Sequence, residues 1–219
     1  MNQPMRLNLF LRSIGVVLMI NLILSACSVV GVRALEEPIY QTQMQEGNFE
    51  IREYASYLVA EVFMEGEDFD EASGDGFRIL ADYIFGNNLS HSASVQMAGK
   101  AEAASENIAM TAPVQMDQGE QPDQWRMAFS LPSKWNLETA PVPNDQRVNL
   151  REILPERMVV LQFSGRMGAR DLEEKEQELR QWATKQGITV VGSVRTARYD
   201  PPWTLPFLRK NEVQLKVED

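Results

Sequence analysis

Ile51-Arg52-Glu53-Tyr54 returns later in the chain as Leu150-Arg151-Glu152-Ile153, and around both copies the hydrophobic pattern runs through the same series of elements. In the first series Phe49 and Ile51 alternate with Glu50 and Arg52, and Tyr57 to Met64 is a second short apolar run. Both patterns predict strands. A polar stretch with Gly66, Gly74 and Gly76 follows. Phe77, Leu80, Ala81 and Ile84 then recur at helical spacing, with Gly86 where a helix C-cap belongs. Ile108, Met110, Ala112, Val114 and Met116 alternate, and so do Trp125, Met127, Phe129 and Leu131, which predicts two more strands, each with one buried face.

The second series repeats this order. Val148 to Ile153 and Met158 to Phe163 read as strands. Asp171 is placed to cap a helix, with Glu174 as its capping-box partner. That helix carries Leu172, Leu179, Trp182 and Ala183 and ends at Gly187. Val190 to Tyr199 and Glu212 to Val217 are again strands. Two strand-strand-helix-strand-strand units, about residues 48–131 and 147–217, are therefore expected about a pseudo-twofold axis. The fold class that follows is α+β: a curved antiparallel sheet or distorted eight-stranded barrel with two helices packed on it. A small-ligand groove is expected where helix meets sheet.

The start of the chain has another character. Arg6 and Arg12 precede an apolar run from Ile14 to Leu24, and Leu24-Ser25-Ala26 leads into Cys27. That is the layout of a secretory signal. The run is too short for a stable membrane-spanning helix, which needs about 20 residues. Leu-Ser-Ala-Cys resembles the lipobox of bacterial lipoproteins, which implies removal of residues 1–26 and acylation of Cys27. Residues 27–47 then read as a lipidated tether and 48–219 as the domain. Several acyl chains hold a membrane where one would not, at about 0.8 kcal/mol per buried methylene. Ser28, not Asp, follows the cysteine, which resembles default sorting to the outer membrane, facing the periplasm, in a Gram-negative cell.

Composition narrows the chemistry. The net charge is −10, and the signal holds basic residues but no acidic ones, so the remainder is more acidic still. Such a surface repels nucleic acid. With one cysteine, itself the acylation site, and one histidine, His91, there is neither a disulfide nor a multi-histidine or cysteine metal site. Phosphate-binding glycine loops, dinucleotide fingerprints and His-Glu-x-x-His are absent from the sequence.

Several segments together resemble the SOUL, or heme-binding protein, family. They are Phe49 to Tyr54, Tyr83-Ile84-Phe85-Gly86-Asn87-Asn88, Ile108-Ala109-Met110-Thr111-Ala112-Pro113-Val114, Tyr199-Asp200-Pro201-Pro202 and Asn211-Glu212-Val213. Met-Thr-Ala-Pro-Val is the most specific of them. The resemblance runs from about residue 38 to the C-terminus and implies the doubled, gyrase-inhibitor-like fold. It also implies heme or another tetrapyrrole as cofactor, held in a shallow apolar groove beside the first helix and covered by the loop before the last strand. By position, that groove would be lined by Phe77, Ala81 and Ile84, which share a helix face, and by Trp203 and Leu205 of the covering loop. The loop, Pro201-Pro202-Trp203-Thr204-Leu205-Pro206-Phe207, is unusually apolar: it either packs as a lid or exposes a patch.

The departures from the family set the expected strength. Where some members carry a histidine proposed as axial iron ligand, this chain has Glu53. Where heme binders place basic residues near the propionates it has Gly74 and Thr204, with Arg78, Arg209 and Lys210 nearby in sequence. His91 falls in the stretch from Leu89 to Glu106, longer than the family's usual connection. The expectation is an envelope protein that binds a small, flat, hydrophobic ligand in storage, scavenging or transfer, with no axial ligand, at micromolar or weaker affinity, alike for heme and metal-free porphyrin. A carboxylate-dependent hydrolase is the alternative, with Glu61 as its base, because that residue interrupts an apolar strand. An envelope interaction protein with no small ligand is a third, favoured if the groove is filled by its own side chains. Binding, not catalysis, is expected, since no polar partner accompanies Glu61.

Overall fold

In the computed structural model, which describes residues 35–66, 69–90, 104–119, 121 and 123–218, the repeat is present as two interlocked units. Strand β1 (Tyr40–Glu46) leads into β2 (Phe49–Tyr54), β3 (Tyr57–Glu65), helix α1 (Phe69–Ile84), the short β4 (Asn88–Leu89), β5 (Val114–Gln118) and β6 (Gln124–Ser130). The short β7 (Val142–Pro143), which pairs with β4, leads to β8 (Asn149–Ile153), β9 (Glu156–Phe163), helix α2 (Ala169–Lys185), β10 (Val190–Arg198) and β11 (Asn211–Val217). Cys27, the signal ahead of it and His91 lie outside the described residues.

The main sheet is antiparallel and curled, in the order β1-β2-β9-β11-β10-β5-β6-β3-β8. Exchange each strand from β2 to β8 for its counterpart in the other unit (β2 with β8, β3 with β9, β5 with β10, β6 with β11). The order becomes its own reverse, so the pseudo-twofold axis passes between β10 and β5. Although β2 and β3 are consecutive in the chain, they do not pair: β2 joins β9, and β8 joins β3. Each unit therefore completes the other's sheet.

Both helices pack on one face. Leu58, Ala60, Val62 and Met64 of β3 meet Phe69, Leu80 and Ile84 of α1 in a core that continues through Val213 and Leu215 to Leu179 and Trp182 of α2. The intervening residues of the same strands face the other way, onto the opposite face of the curled sheet. There Tyr57 contacts Gln115 two strands away, and Arg195 pairs with Glu156 across β11.

Four boundaries differ from the sequence reading. Tyr40–Glu46, read as the end of a tether, is an added strand on the edge of β2. Helix α1 begins at Phe69, so Gly74 and Gly76 lie inside it. Two glycines in polar surroundings hid a stripe that Phe69 and Ala72 begin. At Gly76 the helix lies close on the sheet: a Cβ there would stand 2.9 Å from the Met64 thioether and 3.1 Å from Met127 Cβ. The alternation from Ile108 to Met116 is not one strand. Ladder pairing starts at Val114, after Pro113, which has no N–H to give. Ahead of it, Thr111 bridges Glu36, and Ala112 N–H donates to the Glu36 carbonyl at 2.9 Å. Finally, Asp171 lies within the first turn of α2 instead of capping it from outside, and its carboxylate accepts the Gly168 N–H at 3.0 Å.

Candidate ligand groove

Asn88 and Tyr83 anchor the end of α1. The buried Asn88 amide donates to the carbonyls of Tyr83 (2.7 Å) and Glu106 (2.8 Å), and its oxygen accepts the Glu106 N–H (2.9 Å). Tyr83 donates its hydroxyl to the Pro141 carbonyl at 2.8 Å. These bonds fix the end of the helix and the return of the chain after the long connection.

At the opposite end of α1 a groove of about 590 Å³ opens between that helix, the sheet, the lead into α2 and the loop joining β10 to β11. Helix α1 contributes Asp70, Ser73, Gly74 and Phe77, and the sheet contributes Val114, Met127, Arg198 and Asn211. Arg166, Met167 and Asp171 close one side, and Asp200, Pro202 and Arg209 close the other. The volume lies within the range, about 300 to 1,000 Å³, of sites that enclose small organic ligands. Phe77 is 41% exposed and packs on Phe129 with ring centroids 5.4 Å apart, so its other face is open to the groove. Its apolar walls, Phe77, Val114, Met127 and Met167, stand among three arginines, Arg166, Arg198 and Arg209, and three aspartates, Asp70, Asp171 and Asp200.

Arg198 is the most informative of these. Its Nη1 donates to Ser73 Oγ at 3.1 Å and its Nη2 to the Met167 carbonyl at 3.0 Å, while the guanidinium lies 5.1 Å from the Phe69 ring centroid. Burial pulls its pKa below the ordinary arginine value; Asp70 opposes that shift and Arg209 adds to it. Buried Arg52 and half-buried Arg126 and Arg195, each hydrogen-bonded to a carboxylate, shift the other way. An anionic group entering the groove would favour the charged form of Arg198.

The loop after β10 is tightly tied. Thr204 N–H donates to Pro201 O, Leu208 N–H to Leu205 O and Gly165 N–H to Pro206 O, at 2.9 to 3.0 Å. Arg209 Nε donates to Thr204 O at 2.8 Å and Nη2 to Pro202 O at 2.5 Å. Lys210 N–H donates to Asp200 Oδ2 at 2.6 Å. The backbone is thus held by its own arginine.

Of the residues expected to line the site, Phe77 is in the wall. Ala81, four residues on, is half-buried and Ile84 is core, because α1 descends from the groove onto the sheet. Trp203 and Leu205 are 82% and 46% exposed and are not among the lining residues, which from this loop are Asp200, Pro202 and Arg209. Of the two outcomes considered for the loop, it is an exposed patch. Gly74 is in the wall, and Thr204 is buried within the loop. Arg78 pairs with Asp75 on the surface, and Lys210 reaches Glu37 and Glu212. Glu53 accepts from Gln43 at 3.0 Å beside β1, away from the groove, so a histidine at this position would not face a ligand there. Missed by the sequence reading were Arg166, Arg198 and Met167. Arg198 left a signal: it continues the helix-facing parity of Val194 and Thr196, where a cation is out of place.

Glu61 is 4% exposed, and arginines hold both its oxygens. Arg151 donates to Oε1 at 2.8 Å and to Oε2 at 2.7 Å, and Arg126 donates to Oε2 at 3.2 Å. A carboxylate so held is an ion-pair partner and not a poised base. A second cavity of about 560 Å³ is lined by Glu36, Glu37, Glu138 and Glu152 among neutral polar and apolar residues. Its charge disfavours an acidic ligand. No group of three or more histidine, cysteine, aspartate or glutamate side chains arranged to hold a metal occurs among the described residues.

The sequence profile of the SOUL heme-binding protein family matches residues 35–216. No curated protein matches the chain. Among solved structures, the C-terminal domain of EcmrR is similar at a TM-score of 0.55 and 15% identity, covering 83% of this chain and 99% of that one. EcmrR in its DNA complex gives 0.54 and 15%, over 98% of this chain and 69% of that one. A hydrolase from Listeria innocua gives 0.50 and 12%, over 80% and 94%. At these identities the likeness is one of fold.

Proposed function

Because this chain belongs to the SOUL heme-binding protein family, we propose that it binds a flat, apolar, carboxylate-bearing ligand of the heme or tetrapyrrole class in the groove beside α1. The observation that carries this reading is the pairing of an apolar wall with Arg198, which donates to the Ser73 hydroxyl and the Met167 carbonyl with Asp70 beside it. Phe77, Val114, Met127 and Met167 would contact the ring faces, and Arg198 and the exposed Arg166 would take the carboxylates. Among the described residues the wall contains no histidine or cysteine, and its two methionines, Met127 and Met167, are buried, so we expect metal-free porphyrin to bind much as heme does.

Gly74 and Thr204 themselves offer no charge to a ligand carboxylate. Arg166 and Arg198 would offer that charge from other elements, beside Asp70, Asp171 and Asp200, and ionic pairing with a ligand carboxylate would then add to hydrophobic contact. We infer further that the chain is an outer-membrane lipoprotein acylated at Cys27, facing the periplasm, and that it stores, scavenges or transfers its ligand there.

Titration with protoporphyrin and with its dimethyl ester tests the groove. The free acid should bind about ten-fold tighter than the ester, the worth of one charge-assisted pair. Arg198→Gln should reduce the preference several-fold while leaving the ester's affinity unchanged, and Arg166→Gln together with it should abolish the preference. Equal binding of acid and ester by the wild type would refute the assignment of Arg198, and binding of neither would refute the ligand class.

A further inference from the structure

Trp203, Leu205, Phe207 and Leu208 are 82%, 46%, 69% and 37% exposed, and all four belong to the loop that Arg209 and three prolines hold rigid. In a chain of net charge −10, the stretch from Pro201 to Lys210 contains no acidic residue and ends in Arg209-Lys210. Large apolar side chains on a stiff, non-acidic protrusion lose little conformational freedom on docking. Tryptophan with flanking cations is also the side-chain set enriched at the lipid–water boundary.

The place of the loop relative to the chain's entry names the partner. Glu37 Oε2 lies 3.7 Å from Lys210 Nζ, so the chain enters the domain against the base of this loop. Between Cys27 and Glu37 the chain reaches at most roughly 35 Å even when fully extended. A bilayer that holds Cys27 is thus within reach of the loop, and the tether raises the loop's effective concentration at the surface.

We infer that the Trp203–Leu208 loop is a membrane-docking element that inserts Trp203 and Phe207 into the headgroup boundary of the bilayer to which the chain is anchored. This rests on the proposed acylation of Cys27. It also gives the groove a setting: Pro202 and Arg209 belong to both the loop and the groove wall, so docking sets the mouth of the groove at the interface where flat amphiphilic ligands dissolve.

The test uses the full chain, purified from membranes in detergent and reconstituted into phosphatidylcholine vesicles with and without bromine on the acyl chains. Trp203 emission is read as wild type minus Trp203→Phe, which removes the background of Trp125, Trp135 and Trp182. Brominated lipid should lower the Trp203 signal about two-fold or more, as expected for an indole at the acyl boundary. Phe207→Ser should reverse much of that quenching without changing the melting temperature. Unquenched Trp203 in vesicle-bound protein would overturn the inference, as would protein that stays off the vesicles. A detergent-soluble dimer that Trp203→Ser dissociates would also overturn it, by making a second copy the occupant. Mass spectrometry of Cys27 and porphyrin titration of the same vesicles are read separately. Quenching without porphyrin binding leaves docking standing and removes the ligand reading, and quenching with an unmodified Cys27 leaves docking standing without the tether.

Discussion

The two arginines of the repeated tetrapeptide have the same task. Arg52 and Arg151 each hold a buried glutamate with two nitrogens: Arg52 reaches Glu212 at 2.9 and 3.0 Å, and Arg151 reaches Glu61 at 2.8 and 2.7 Å. Glu212 is fully buried and also accepts from Tyr199 Oη and Gln214 Nε2, each at 2.9 Å. Burial alone would raise its pKa; Arg52, with Lys210 and Gln214, outweighs that and holds it below the ordinary glutamate value. A carboxyl with a depressed folded pKa stabilises the fold above its unfolded value, about 4.3, and loses that contribution as pH falls through the folded value. Glu212→Gln should therefore cost about 3–5 kcal/mol near neutrality, since it leaves Arg52 buried without its partner. Melting temperatures measured from pH 7 down to pH 3 should show the gap between wild type and variant narrowing below about pH 4 to 5. A gap that stays constant would mean that Glu212 is not charged in the fold. At this scale the sequence exposed the echo but not its purpose. Arg52 and Glu212 are far apart in the chain, and they meet because β2 and β11 flank the same strand, β9. Likewise Glu61 reads as an interruption of an apolar run until Arg126 and Arg151 arrive from other strands.

Among the elements, α1 holds both a packing constraint and a ligand wall on two glycines. A methyl group at Gly74 meets nothing within 4 Å, whereas at Gly76 it meets Met64 and Met127. Gly74→Ala should stabilise the helix by up to about 1 kcal/mol through propensity alone. Gly76→Ala should lose that gain and more, because Met127 Cβ sits on a strand and has little room to give. Chemical denaturation of the two variants checks the contrast; equal effects would mean that α1 does not lie on the sheet as described. Elements whose apolar residues keep one period throughout were legible: β3, β6, β9 and α2 lie close to where alternation or helical spacing put them. The start of α1 was not, because its first turns carry Asp70, Glu71 and Gly74 on the open side. Nor was β1, which lies on an edge with most of its residues exposed and so bears no hydrophobic rhythm. Of the groove, the helix supplied Phe77 legibly, while Arg166, Met167 and Arg198 come from two further elements whose meeting the sequence pattern does not encode.

Across the whole molecule, the exchange of β2 and β8 between units makes each half incomplete. Residues 35–131 retain β3 without β8, and β2 without β9; residues 147–219 have the converse gap. Expressed separately, each half should lack cooperative unfolding by circular dichroism. Mixed, the two should recover it with a melting temperature that rises with concentration, as for any association-linked fold. A half that melts cooperatively alone would show the units to be independent. The same symmetry leaves the doubled sheet with two boundary strands, β2 and β8, of which β1 covers the first. Among the described residues nothing pairs with the outer side of β8, so it offers a row of backbone donors and acceptors on which another chain can polymerise. Its defence is chemical: five residues long, it shows Asn149, Arg151 and Glu152 to solvent and keeps Leu150 half-buried. Short, charged borders of this kind discourage fibril growth. One copy of the tetrapeptide is sheltered under a neighbour, and the other guards the molecule's solubility.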